Sequence, residues 1–433
     1  MNLTAWLAVA VFAASYVLIA TERVHRVAAA LGGATVMLLI GATGAEHAFF
    51  SEESGIDWNV IFLLLGMMLI VAVVQRTGAF EYVAIWAAKR ARGRPFRVMT
   101  ILVLITAAAS AVLDNVTTVL LIAPVTFLVC ERLAVPVAPF LIAEAIASNI
   151  GGTATLVGDP PNIIIASRGG LSYNDFLIHL APLVLLLMVV FIGLCRWLFR
   201  NAFRYDDDRA AAVMSLRERD AIRDPRLLIV SGIVLVAVTV AFVLHTVLHL
   251  EPSVVAVVGG LVLLALSRLD AEQVAKDVEW PTLVFFAGLF VMVGALVNTG
   301  VINTIATAAA NATQGRLLLT SMVLLWASAI LSAIVDNIPY VATMSPVVAE
   351  LVQSNGAGDQ SQVLWWSLAL GADLGGNATA VGASANVVVL GLAERGGHRI
   401  SFWQFTKYGL IVAAVTVTIS MPYLWLRYFV LAG

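Results

Sequence analysis

The sequence predicts an all-α membrane protein with ten transmembrane spans in two inverted five-span repeats, each holding a re-entrant helical hairpin and a broken helix. Three observations carry that prediction. The chain is 61% hydrophobic and 12% charged, where a soluble domain is about half apolar and a quarter charged. Uncharged stretches such as Trp58–Val74 and Leu227–Val243 have about the length that a bilayer demands. The second half also repeats polar landmarks of the first in register. The net charge of -2 says little, because in lipid the placement of charge matters more than its sum.

Taken in order, residues 1–200 form the first repeat, with spans at 3–20, 27–44, 58–78, 138–167 and 177–199. Residues 226–433 form the second, with spans at 226–246, 252–267, 280–299, 363–392 and 404–429. Met1–Ala20 lacks a basic leader and a small-residue cleavage site, so it reads as a retained span. Two apolar stretches, 98–130 and 317–353, are too long for one crossing and too short for two. Each is interrupted in its middle, by Asp114-Asn115 and by Asp336-Asn337. They read as hairpins that enter and leave on one side. The segments 138–167 and 363–392 read as broken helices, and 201–225 as a charged cytoplasmic connector, amphipathic or mobile.

Basic residues set the orientation. With both termini outside, the inner loops hold Arg23, Arg26, Lys89, Arg90, Arg92, Arg94, Arg97 and Arg132. The linker set from Arg196 to Arg226 follows, then Arg268, Lys276, Arg395, Arg399 and Lys407. Only Arg168, Arg316 and Arg427 remain outside. That asymmetry is what the positive-inside rule expects of an inner or plasma membrane protein.

The repeat is the most specific signal. Asp57-Trp58, Gly66 and Thr77-Gly78 match Glu279-Trp280, Gly288 and Thr299-Gly300 at an offset of 222 residues, which also carries Ser110–Asn115 onto Ser332–Asn337. After a two-residue slip, Asn149–Gly158 matches Asp373–Gly382, and Asn162 falls on Asn386. Repeats with an odd number of crossings are inverted, and in such transporters the site forms where the halves meet.

Backbone groups at membrane depth must be satisfied, so helix breaks survive there only around a protein-lined or watery cavity. Candidate binding residues therefore cluster at four breaks. At the first tip, Asp114, Asn115, Thr117 and Thr118 either cap a half-helix or face the cavity. Asp336 and Asn337 repeat that tip, with Pro339 suited to a first helical turn. Asn149, Gly151, Gly152, Thr153, Thr155, Asp159 and Asn162 form the first broken segment; Asp373, Gly375, Gly376, Asn377, Thr379 and Asn386 form the second. The glycine pairs are expected to permit unwound backbone, although close helix packing is the competing reading. Glu144 is either a proton carrier or a buried paired carboxylate. Asp114, Asp159, Asp336 and Asp373 make a site rich in acids with no evident Lys or Arg. Cations, protons or neutral hydroxylated solutes suit it better than bare anions.

Ser110–Thr126 (SAVLDNVTTVLLIAPVT) with Ala147–Ser167 (ASNIGGTATLVGDPPNIIIAS) resembles the ion transporter superfamily. Nearest is its branch of ArsB-type arsenite permeases and the P protein, which carries a citrate-transporter-like domain. The resemblance spans nearly the whole chain. It implies two inverted repeats, elevator-like alternating access and a homodimer. It also implies binding roles for Asp114, Asn115, Asn149, Gly151, Gly152, Thr153 and their repeat mates. The expectation is proton-coupled efflux of arsenite or antimonite, with Na+ as the other coupling ion. Alternatives are Na+/H+ exchange, sodium-coupled carboxylate or oxyanion transport, and an anion channel. A soluble arsenite-stimulated ATPase is a partner the resemblance allows. The residues point to no enzyme, resident cofactor, structural metal or nucleic acid: HExxH, GxSxG and GxxxxGK[ST] are absent, and Cys130 and Cys195 lack metal spacing.

Overall fold

The computed structural model describes residues 2–431, apart from 22, 23, 52, 204, 216 and 357. Arg23 and Arg204, two of the expected inner charges, lie outside the described residues. Those described are helical or irregular, with no strand. Helix starts carry local signals: the Asp57 carboxylate accepts from the Val60 amide at 3.2 Å, and Asp224 accepts from the Arg226 and Leu227 amides ahead of Pro225. Pro95, Pro160 and Pro252 occupy first turns, where a missing N–H costs nothing.

One succession of helices occurs twice. Leu3–Ala20, Arg26–Leu39, Trp58–Gln75 and Ala79–Arg90 lead into the hairpin Pro95–Ser110/Asn115–Leu133. The pair Val137–Gly152/Pro160–Gly169 follows, then Ala181–Leu198. The same order returns as Pro225–Leu248, Pro252–Ser267, Trp280–Asn298, Val301–Ala312, Leu317–Ile334/Asn337–Ser354, Val363–Gly376/Ser384–Arg395 and Phe402–Trp425. Ala79–Arg90 and Val301–Ala312 occupy segments that the sequence reading leaves as loops. They are short and, in the first case, charged, so no hydropathy window singles them out.

Equivalent helices Trp58–Gln75 and Trp280–Asn298 run antiparallel. Arg76, just past the end of the first, pairs with Asp277 before the second at 2.6 Å. Gly294, near the end of the second, lies against the Ser54 carbonyl before the first. Packing is reciprocal: Trp58–Gln75 lies along Pro252–Ser267, and Trp280–Asn298 along Arg26–Leu39. Each hairpin cradles the first arm of its own broken pair. The halves also interlock, with Asn337–Ser354 on Pro160–Gly169 and Ser384–Arg395 on Asn115–Leu133.

Among the described residues seven helices are long and apolar enough to cross a membrane: Trp58–Gln75, Asn115–Leu133, Ala181–Leu198, Pro225–Leu248, Trp280–Asn298, Leu317–Ile334 and Phe402–Val430. Five coincide with expected spans. The other two are hairpin arms, which at about 1.5 Å per residue are longer than a short re-entrant arm requires. The linker is less free than its composition implies. It forms the helix Asp207–Met214 and buries Val213. It then ties to Ala79–Arg90 through Lys89–Glu218 at 2.6 Å and Arg223–Glu81 at 2.9 Å.

Candidate transport site between the helix breaks

Both hairpin tips are built as capped helix starts. The Asp114 carboxylate accepts from the Thr117 amide at 2.8 Å and the Thr117 hydroxyl at 2.5 Å. Asp336 accepts from the Ile338 amide at 3.0 Å, and its other oxygen takes the Ser384 hydroxyl at 2.6 Å. The Asp114 carboxylate is thus closed on its own hairpin, whereas that of Asp336 is tied to the neighbouring break. Thr118 is buried beside the first tip, and its hydroxyl has no partner among the described residues.

The glycine pairs do not do what the sequence reading expects. Gly151, Gly152, Gly375 and Gly376 stay helical, and none has a positive φ. Unwinding starts one residue later, at Thr153 and Asn377. Close approach is the reason for glycine here: a Cβ on Gly151 would stand 2.3 Å from the Ala107 carbonyl oxygen, and one on Gly375 would stand 2.5 Å from that of Ala329. The helix ends seat themselves against the first arm of each hairpin. Thr155 and Thr379 then donate to Ala111 O and Ala333 O at the hairpin turns, at 2.6 and 2.5 Å. Asn162 donates to Gly152 O and Thr155 O, and Asn386 to Gly376 O and Thr379 O. These amides brace the unwound segments, and Thr153 back-bonds to Asn149 O at 2.8 Å.

The tips and breaks meet in one buried cluster. Asp159 Oδ2 accepts from Asn115 Nδ2 at 3.1 Å and Asn337 Nδ2 at 3.4 Å, so a single carboxylate joins both tips. Asn115 also donates to Asn149 Oδ1 at 3.0 Å. Across the midline, Asn149 Nδ2 donates to Asn377 Oδ1 at 2.9 Å and Asn386 Oδ1 at 3.2 Å. Two carbonyls hold the Asn386 nitrogen, which fixes its oxygen toward Asn149.

Asp373 stands where the second half repeats Asn149. Beside its carboxylate are Thr153 and Asn162, the equivalents of Asn377 and Asn386. Asp373 is fully buried, and neither of its oxygens has a hydrogen-bond partner among the described residues. Asn162 Oδ1 and Asp159 Oδ1 have no partner among the described residues either. Where the first half presents an amide to two amide oxygens, the second sets a buried carboxylate beside a hydroxyl and an amide. Glu144 is separate from the cluster: buried, it accepts from the Thr126 hydroxyl at 2.6 Å, and its other oxygen has no partner among the described residues.

A cavity of about 590 Å³ opens beside the cluster and is lined by both tip carboxylates, Asp114 and Asp336. Its opposite wall corrects the expectation of a site without a cation. Arg26 lines it, bonded to Thr282 Oγ1 at 3.1 Å and lying over the Phe285 ring. His25 and Glu279 line the same wall. Sequence reading places Arg26 in a loop and misses its return to the centre. The duplicated Asp57/Glu279 position was the available clue that helix starts recur at the site.

Comparison with known proteins agrees with this architecture. The citrate transporter family (CitMHS) matches residues 16–371. An uncharacterized transporter of Mycobacterium tuberculosis H37Rv is 58% identical over 424 residues, covering 98% of this chain and 99% of that protein. A 46 kDa membrane protein of Mycobacterium leprae is 56% identical over 426 residues, with the same coverage. The human P protein is 33% identical over 502 residues, covering 98% of this chain and 60% of that protein. The crystal structure of the Alcanivorax borkumensis YdaH transporter shares the fold, with a TM-score of 0.59 at 16% identity over 91% of this chain and 88% of that one. The chain is a multi-pass membrane transporter, and it belongs to the citrate transporter family of the ion transporter superfamily.

Proposed function

We propose that the chain is a proton-coupled secondary transporter that exports a small hydroxylated solute, arsenite or antimonite, by elevator-like alternating access. In this reading ten spans form two inverted repeats in the inner membrane, with the linker cytoplasmic and both termini outside. The antiparallel course of the equivalent helices supports the inversion. The single observation that carries the coupling is Asp373. A buried carboxylate cannot stay charged in a protein interior without a partner. It needs a proton or a bound cation, and a proton would let it donate to Asn162 as Asn149 donates to Asn386. Protonation would complete the central network, and its loss would leave an unpaired charge. That difference is what a coupling ion must exploit, because a ligand shifts a conformational equilibrium only by its differential affinity for the two states. The cluster supplies hydroxyl and amide groups and no thiol, so arsenite would be recognised as a neutral hydroxylated molecule through hydrogen bonds.

One observation favours a second reading. Arg26 gives the cavity a guanidinium suited to carboxylates and oxyanions, so cation-coupled uptake of such anions is the rival. Purified protein in sealed liposomes separates the two under an imposed pH gradient, with arsenite, antimonite and citrate compared. Export predicts arsenite flux accompanied by a counterflow of protons, both abolished by Asp373→Asn. Flux of citrate alone, driven by Na+ and lost with Arg26→Gln, would replace the first reading with the second.

A further inference from the structure

On the linker side of the protein, away from the central cluster, four arginines converge on one cleft. Arg94 and Arg97 stand at the start of the hairpin helix Pro95–Ser110. Arg196 and Arg200 stand at the end of the span Ala181–Leu198. The cleft has a volume of about 630 Å³, and no aspartate or glutamate among the described residues lines it. Asp207 bonds Tyr205 at its rim. None of the four guanidiniums belongs to an ion pair among the described residues.

Aromatic rings hold the arginines in place. Arg196 lies 4.9 Å from the Phe96 ring centroid and Arg94 lies 6.0 Å from that of Tyr205, while Phe96 meets Phe203 edge-on at 5.2 Å. Stacking of this kind orients a guanidinium fork and leaves its donors directed outward. The helix starting at Pro95 has no side-chain cap, so its first amides add to the positive field. Trp197, 59% exposed on the neighbouring face, has the amphipathic ring that favours the membrane interface.

We propose that this cleft binds the phosphate headgroup of an anionic phospholipid at the membrane surface on the linker side. Planar forks recognise phosphate oxygens two at a time. Four uncompensated charges at the end of a span match a lipid carrying two phosphodiesters better than one. Such a lipid would bridge the hairpin helix to the last span of the first half. It acts apart from the central cluster and does not depend on which solute is carried.

Native mass spectrometry of the full chain in detergent tests this with cardiolipin, phosphatidylglycerol and phosphatidylcholine as probes. The expected order is cardiolipin above phosphatidylglycerol, with phosphatidylcholine at least tenfold weaker. Arg97→Gln and Arg196→Gln should each weaken cardiolipin binding several-fold. Arg132→Gln, an exposed arginine outside the cleft, should leave it unchanged. The lipid preference of the unmodified protein is a readout that does not depend on any variant folding. Equal retention of all three lipids would overturn the proposal, as would an equal loss with Arg132→Gln. Full displacement of the lipid by millimolar inorganic phosphate would also overturn it and reassign the cleft to a soluble anion.

Discussion

Two junctions at the centre of the molecule occupy equivalent places and differ by one atom type. At the first, the Asn149 amide spans from one half to the other, donating to Asn377 and Asn386. At the second, a buried carboxylate, Asp373, takes the place of that amide beside Thr153 and Asn162. A gene duplication read for its similarities would make these the same. The difference teaches that one junction is an uncharged clasp, whereas the other buries a carboxylate, which is costly to keep charged in an interior.

The largest expected effect comes from making the two junctions alike. Asp373→Asn removes the buried titratable carboxylate, so flux driven by a pH gradient in liposomes should fall to background. The protein should fold as well as before or gain ~1 kcal/mol by satisfying Asn162. A variant that keeps pH-driven transport would remove Asp373 from the coupling.

Next in size is the carboxylate that joins the tips. Asp159→Ala, which copies Ala383 of the second half, strands the Asn337 amide and leaves Asn115 only its bond to Asn149, at about 1–3 kcal/mol for each buried donor left unpaired. A clearly lower melting temperature in detergent is expected; an unchanged one would mean that the tips are held elsewhere. Converting the clasp the other way, Asn149→Asp, removes the cross-half donors and should cost about 1–3 kcal/mol. Its loss should shrink at acidic pH if the new acid can take the proton, which melting curves across pH would show.

The smallest effect is expected at the tips themselves. Ser384→Ala releases Asp336 from its break, whereas Thr117→Ala opens the closed cap of Asp114. Each should cost about 0.5–1.5 kcal/mol. Ser384→Ala should alter transport and Thr117→Ala should not, because the Asp336 carboxylate bonds the neighbouring helix break through Ser384 whereas Thr117 bonds Asp114 within one hairpin. Equal transport defects would erase the distinction drawn between the tips.

Much of this architecture is legible in the chain. Apolar length accounts for the long helices, and the Asp-Asn and Gly-Gly segments fall where helices end and restart, at Asp114, Thr153, Asp336 and Asn377. The glycines show where local reasoning stops: their identity is readable, but their use depends on Ala107 and Ala329 passing beside them. Arg26 was unreadable as a cavity residue for a similar reason, since Thr282, which holds it, is 256 residues away. The linker looked solvated because its polar composition conceals the pairing of Glu218 with Lys89 and Arg223 with Glu81.

By itself the sequence determined that this protein lives in a bilayer and carries two copies of one helical plan interrupted at four polar points. Both follow from local chemistry, since apolar runs seek lipid and capping residues start helices wherever they fall. Only the tertiary structure decided that both tips share one carboxylate and that Asp373 is buried beside Thr153 and Asn162. Which groups become partners across hundreds of residues depends on how the two copies pack against each other.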